Sequence, residues 1–144
     1  MGNYIKALLD NMEKIYERSP LLRLLGITVT DLKEGEATGK MPISAEVHTN
    51  VYTMAHGGAI ASLADTVMGA ACTTSGKSSV TLDFSMNYIR AVPAEDTITA
   101  HAKVIHNGKS TMVVDCQLSN GQGQLIATAR ATFFVTGEVR GILE

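Results

Sequence analysis

Gly57-Gly58-Ala59-Ile60-Ala61-Ser62-Leu63-Ala64-Asp65-Thr66-Val67-Met68-Gly69-Ala70-Ala71-Cys72-Thr73-Thr74-Ser75 is the stretch on which the fold turns. Between Ala59 and Cys72 nearly every residue is small or apolar, and the only charge is Asp65. The spacing predicts one helix over this run, closed by Gly76. A helix apolar on all sides is a buried helix. It is too short and too rich in alanine to span a bilayer.

Outward from that helix the periodicity changes to two. Val80, Leu82, Phe84, Met86 and Tyr88 alternate with Thr81, Asp83, Ser85 and Asn87. Ile98, Ala100, Ala102 and Val104 form the apolar side of a second segment, and Met112, Val114, Cys116 and Leu118 that of a third. Leu125, Ala127, Ala129, Ala131, Phe133 and Val135 do the same in a fourth. Such alternation predicts an antiparallel sheet covered on one side. Turn residues at Pro93-Ala94-Glu95-Asp96, Asn107-Gly108 and Asn120-Gly121 predict that consecutive strands join as a meander.

Before the helix, Ile5, Leu8, Leu9, Met12, Ile15 and Tyr16 recur at helical spacing behind Asn3, a candidate N-cap. They predict an amphipathic helix over about 3–18 that Ser19-Pro20 stops. The same pair suits the start of a short helical turn through Leu25, ended by Gly26. Ile27 to Leu32 and Glu36 to Ile43 read as two strands around a turn at Lys33-Glu34-Gly35. One α+β domain over 1–144, a sheet around one buried helix, hides both apolar faces.

Composition excludes several classes. The 144 residues carry a net charge of -2, with hydrophobic residues at 45% and charged residues at 18%. Disorder is unlike this composition, and no basic stripe exists to release counterions from nucleic acid. Cys72 and Cys116 stand in unrelated contexts with no zinc or redox spacing, so both read as small buried apolar residues. The amphipathic N-terminal segment lacks the apolar core of a signal peptide, and Lys6 stands where a myristoylation motif wants Ser or Thr. A cytoplasmic protein needing no metal or other cofactor is the expectation.

Chemistry gathers where the loop 48–56 meets the helix. Gly57-Gly58 allows close approach of a ligand to backbone, and the first helix N–H groups lie unpaired at the positive end of the dipole. A carbonyl oxygen gaining negative charge suits that place; tight packing at the loop–helix junction is the plainer alternative. Asp65 favours the catalytic option, because an unpaired carboxylate in apolar surroundings costs several kcal/mol. Asn50 and Thr81 are candidate donors to hold it ionised; a structural role, as partner of a backbone N–H or of Arg90, is the alternative. Asp65 stands eight residues beyond Gly57, roughly 12 Å along a helix. One helix cannot easily present both groups to one carbonyl carbon. Two antiparallel helices can, so a site shared between two subunits is expected.

These residues resemble a known family. Asn50-x5-His56-Gly57-Gly58 followed by Leu63-Ala64-Asp65 is similar to the PaaI-type hotdog thioesterases, and the likeness runs from Pro20 to Phe133. It includes Thr81-Leu82-Asp83 leading into Asn87-Tyr88-Ile89-Arg90. The resemblance implies a hotdog fold, hydrolysis of an acyl- or aryl-CoA thioester, and a homodimer, with dimers paired into a tetramer. It implies Asp65 as nucleophile or general base and the Gly57 amide as the donor polarising the thioester carbonyl. His56 would support that region, Asn50 would orient nucleophile or water, and Thr81 would hold water. The family's loop often has Gly three residues before the histidine, whereas this chain has Thr53 between the bulky Tyr52 and Met54.

Other candidates are weaker. Gly58 joins Gly57 as a substrate-binding position, and Arg90 and Lys109, basic residues near turns, could meet the phosphates of coenzyme A. His48, His101 and His106 read as surface or strand residues. No spacing supports a metal site built from His48, His56 and Asp65. Two rival functions remain: a non-catalytic acyl-CoA-binding module, for which a buried anion has no use, and an acyl hydratase, whose motif is absent. The acyl group itself is not legible.

Overall fold

The long apolar run folds as helix α4 (Gly57–Thr73), packed against a six-stranded antiparallel sheet, in a computed structural model that describes residues 2–139. Met1 and residues 140–144, the ends of the expected 1–144 domain, lie outside the described residues. Ahead of α4 come α1 (Gly2–Asp10), α2 (Met12–Glu17), α3 (Pro20–Leu25), β1 (Thr28–Lys33) and β2 (Glu36–Pro42). Behind it come β3 (Lys77–Tyr88), β4 (Thr97–Asn107), β5 (Thr111–Ser119) and β6 (Leu125–Glu138).

The single N-terminal helix expected over about 3–18 is in fact two. Asn11 leaves helical geometry at φ −104° and ψ 0°, and its Nδ2 donates to the Ala7 carbonyl at 2.8 Å. A side chain bonded locally to the backbone competes with the helix in this way. Asn3 therefore lies inside α1 and caps nothing. The α3 signals work as read: Ser19 Oγ accepts from the Leu22 amide at 3.4 Å, Pro20 opens the helix, and Gly26 at φ 70° closes it.

Strand order is β1-β2-β4-β5-β6-β3, so the expected meander holds only for β4, β5 and β6. β3 does not pair with β4. It lies beyond β6, paired antiparallel from Lys77↔Glu138 to Tyr88↔Ala127. The link 89–96 is tied to other partners: the amides of Ile89 and Arg90 donate to the Ile126 carbonyl at 2.8 and 3.1 Å, and Val92 O accepts from Ala55 N at 2.7 Å. β3 is consequently an edge strand with one free side.

The inner faces of β4 and β5 follow the alternation: Ile98, Ala100, Ala102, Met112, Val114, Cys116 and Leu118 are all buried. Two irregularities correct the other strands. In β6, Leu125 is exposed and Ile126 is buried, because the register slips between Leu118 and Ser119 of its partner. In β3, Thr81 pairs with Phe133 and Asp83 with Thr132, leaving Leu82 as a surplus bulge residue. The bulge reverses which side chains face inward. Thr81 shares the inner side with buried Phe133, while Val80 and Leu82, expected inside, are 56% and 63% exposed. Phe84 and Met86 return to the inner side and pack on the core, and Tyr88 is exposed.

On the outer face, one row across five strands alternates in charge: Lys33, Glu36, Lys103, Asp115 and Arg130 stand side by side. Opposite charges on neighbouring strands are favourable cross-strand pairs. Arg130 grips Asp115 with both ends of its fork, at 2.6 and 2.9 Å, and this holds the carboxyl below its usual range.

α4 sits close on the sheet, where Gly39 of β2 makes room; a Cβ there would stand 2.5 Å from Val67 Cγ2. Ile60, Leu63, Ala64, Val67, Met68, Ala71 and Cys72 are buried. Burial on all sides does not hold, however. A sheet covers one side of a helix, and the face bearing Ala61, Ser62, Asp65, Thr66 and Gly69 is only half-buried. Cys72 and Cys116 are free and buried as expected, their thiols pushed up by burial to about 11 and about 12. Among the described residues no helix is long and apolar enough to cross a membrane.

Candidate active site

The loop 44–56 delivers the start of α4, and its own hydrogen bonds set its shape. His48, expected as a surface or strand residue, is buried in the loop. Its Nδ1 accepts from the Ser44 amide at 2.9 Å, so the ring proton sits on Nε2 and is donated to the Leu25 carbonyl at 2.6 Å. Both nitrogens thus serve the backbone, pinning the loop to the end of α3. The His48 carbonyl then accepts from the His56 amide at 2.6 Å. Asn50 rounds the tip, its Oδ1 accepting from Tyr52 N at 2.9 Å and Met54 N at 3.2 Å.

Thr53 in that tip has φ 64°. A β-branched residue is strained in the left-handed region. Thr53→Gly is expected to stabilise the chain by about 0.5–1 kcal/mol, the relieved strain exceeding the extra unfolded-state entropy of glycine. Urea denaturation reads this directly. A lower midpoint would mean that the Thr53 hydroxyl bond to Tyr52 O, 2.6 Å long, outweighs the strain.

At the helix start, His56 is the N-cap residue, its Nδ1 accepting from the Gly58 amide at 2.9 Å. That bond places the neutral ring's proton on Nε2 of an exposed side chain. The His56 carbonyl accepts from the amides of Ala59 and Ile60 at 3.0 and 3.2 Å. The Gly57 amide alone in this turn has no partner among the described residues. The two glycines therefore separate: Gly57 offers a donor, while the Gly58 donor is already engaged. The Gly57 carbonyl accepts from the Tyr88 hydroxyl at 2.6 Å, and a Cβ on Gly57 would meet the Tyr88 ring at 3.2 Å. Burial pushes the Tyr88 phenol pKa up, so the group stays a donor.

Two turns further on, Asp65 is half-buried, less sunk than the sequence suggests, because its face of α4 lies beside the free edge of the sheet. Its Oδ1 accepts from Thr81 Oγ1 at 2.6 Å. The bulge at Leu82 is what turns Thr81 inward to make this bond. No ion pair joins Asp65 to Arg90 among the described residues, so that alternative has no support.

Asp65 and Thr81 both line two cavities. One, of about 310 Å³, is completed by Ala61, Ser62 and Phe84. The other, of about 390 Å³, runs beside α4 under the N-terminal helices. Gly57, His56 and Asn50 line neither. Because Gly57 and Asp65 belong to one continuous helix, the axial separation of about 12 Å stands.

The basic candidates divide. Arg90 follows β3 at the end where Tyr88 holds Gly57, whereas Lys109 lies in the β4–β5 turn at the end where β3 begins. A strand of 12 residues separates them, about 40 Å at a strand's rise. One chain cannot bring both to one phosphate group. Tyr88 and His48 are the residues that sequence reasoning passed over. A glycine pair opening a helix implies something pressed where a Cβ would be, and that signal could have pointed to Tyr88.

The chain matches the thioesterase superfamily model over residues 52–127. It is 35% identical to the acyl-coenzyme A thioesterase PaaI of Escherichia coli, over 84% of this chain and 86% of that one. It is 32% identical to human acyl-coenzyme A thioesterase 13, over 76% and 81% of the two chains. The solved structure of the E. coli PaaI protein superposes with a TM-score of 0.86 at 32% identity, covering 94% of this chain and 97% of that one. A Streptococcus mutans protein bound to acetyl-CoA superposes with a TM-score of 0.76 at 31% identity, covering 79% and 91%.

Proposed function

This chain belongs to the thioesterase superfamily, and from that premise we propose that it hydrolyses an acyl- or aryl-CoA thioester to the free acid and coenzyme A. The observation that carries the reading is a carboxylate, Asp65, held by Thr81 at 2.6 Å where two cavities meet. Either water adds to the thioester carbonyl carbon with Asp65 as base and the thiol leaves with a proton, or Asp65 attacks first, expelling the thiol and leaving a mixed anhydride that water then cleaves to free acid and Asp65. The carbonyl oxygen takes up negative charge against the free Gly57 amide, where the helix dipole favours it. Asn50 shapes the loop that presents this amide, and His56 caps the helix through the Gly58 amide while leaving its Nε2–H for the ligand. No cofactor enters beyond the coenzyme A of the substrate.

With Gly57 and Asp65 so far apart on one helix, the complete site takes the Gly57 amide of one copy and Asp65 of another. The free edge of β3, flanked by exposed Val80, Leu82 and Ile89, suits pairing with a second copy, which would cover the open face of α4. Pairing of such dimers into a tetramer extends the same reading. Arg90, at the Gly57 end, is placed to meet the coenzyme A phosphates; Lys109 could reach them only from another chain. Two unpaired cysteines fit a reducing, cytoplasmic setting.

Thiol release from a panel of acyl- and aryl-CoA esters is the test. Release from at least one ester, with coenzyme A and free acid in equal amounts, is expected. Binding of the esters without release from any would leave the chain an acyl-CoA-binding module.

A further inference from the structure

Resting on the thioesterase reading, we propose that Gly69 is the specificity-determining residue of the acyl pocket, its missing side chain being the passage through which a long saturated acyl group runs along α4. The passage lies in the cavity of about 390 Å³ that begins at Asp65 and Thr81 and extends along α4 past Gly69 to Thr73. From Asp65 to Thr73 is about 12 Å of helix. Leu8, Met12 and Ile15 of the N-terminal helices supply the opposite wall, and Phe133 of β6 lines the same space. An acyl group whose carbonyl lies at Asp65 meets hydrocarbon along most of that length.

A glycine inside a helix needs a reason, because alanine in its place loses less backbone freedom on folding. Neither usual reason applies here. Gly69 belongs to the regular helix α4, and no left-handed turn calls for it. Packing does not call for it either. A Cβ at 69 would stand 3.7 Å from Phe133 Cε1, an ordinary contact, whereas a Cβ on Gly39 would stand 2.5 Å from Val67 Cγ2. Outside its own helix, Phe133 is the sole described neighbour within 4 Å of that atom. The space beside Gly69 is cavity.

Gly69 stands one turn beyond Asp65 on the same half-buried face of α4, about 6 Å along the axis. Cβ bonds tilt toward a helix N-terminus, so a side chain at 69 would lean back toward Asp65, across the route of the acyl chain. The far wall is fixed and gives no room in return. Leu8 is fully buried, and the Tyr4 hydroxyl donates to the Thr73 carbonyl at 2.8 Å, which ties α1 to the end of α4. Pocket depth is therefore decided at residue 69.

The test uses ketone analogues of acetyl-, hexanoyl- and decanoyl-CoA. A methylene between sulfur and carbonyl leaves no thioester to break, so binding is read apart from hydrolysis. By calorimetry the wild-type affinity should rise from the acetyl to the decanoyl analogue, by up to about fourfold per buried methylene. Gly69→Leu should weaken the decanoyl analogue by about tenfold or more, and the acetyl analogue by less than about twofold. Gly69→Ala, which the helix tolerates, should raise the urea midpoint and still weaken the decanoyl analogue by about threefold. In hydrolysis, kcat/KM for the matching esters should follow the same order. No rise in the wild type, an unchanged decanoyl affinity in Gly69→Leu, or a loss spread equally over the three analogues overturns the assignment. So does a lower urea midpoint in Gly69→Ala, which would make the glycine a packing requirement. Length-dependent binding that shifts with residue 69, in a chain that cleaves no ester, would instead strike the thioesterase reading and leave the pocket assignment standing.

Discussion

Asp65→Asn lowers kcat by about 10²–10⁴-fold, the range expected when a positioned acid–base group is removed, or by more if the carboxylate is itself the nucleophile. Asparagine has nearly the shape of aspartate, and its carbonyl can still accept from the Thr81 hydroxyl that Asp65 holds at 2.6 Å. Packing of α4 therefore has no reason to change. What disappears is the negative charge and the basic lone pair. Steady-state thiol release, with circular dichroism to confirm the fold, measures the effect. Turnover within a factor of two of the wild type would remove Asp65 from the chemistry.

A mixed assembly of two inactive chains regains activity. Gly57→Val should be nearly inactive alone, since its Cβ would stand 3.2 Å from the Tyr88 ring and its two methyls crowd the face of the free amide; losing an aligned oxyanion donor costs about 10²–10³-fold. Asp65→Asn is inactive for the other reason. If each site takes Asp65 from one copy and Gly57 from the other, a heterodimer of the two variants contains one site with both defects and one with neither. Purified through separate tags, it should show about half the wild-type rate per dimer, as two-fold symmetry requires. Activity no higher than that of the separate variants would confine both groups to a single chain's site or break the shared-site scheme.

Much of this was legible in the sequence for physical reasons. Burial forces period-two patterning on β4 and β5, and Ser19-Pro20 and Gly26 carry their local geometry wherever they stand. The helix through Ala59–Cys72 could hardly be anything else. Other features are decided by contacts that no local pattern records. β3 reads as the neighbour of β4, yet the amides of Ile89 and Arg90 bond to Ile126 and carry the chain across. The break at Asn11 depends on one side-chain bond to Ala7. His48 reads as a surface or strand residue, and only its two backbone partners show it to be a buried loop anchor. Arg90 and Lys109 both sit near turns, but turn chemistry does not say at which end of a sheet a turn lies.

Asp65 was visible as the lone charge of its helix, and Gly57 as a helix-opening glycine. Their supports were less so. Thr81 could be named as a donor, although strict alternation with Asp83 and Ser85 would have turned it away from the helix. Only a bulge reconciles those two readings, and a bulge leaves little trace in composition. Half-burial of Asp65 was missed because a single chain was being asked to cover a helix on every side.

The extra residue at Leu82 has a wider meaning for how such a protein can change. Parity along a ladder is inherited by everything downstream, so a hydroxyl could be moved to the helix side only by shifting Phe84 and Met86 as well. One supernumerary amino acid uncouples the two halves of the strand. Greasy positions on the ladder can then drift with the core, while the segment ahead of Leu82 keeps the Thr81 hydroxyl on Asp65.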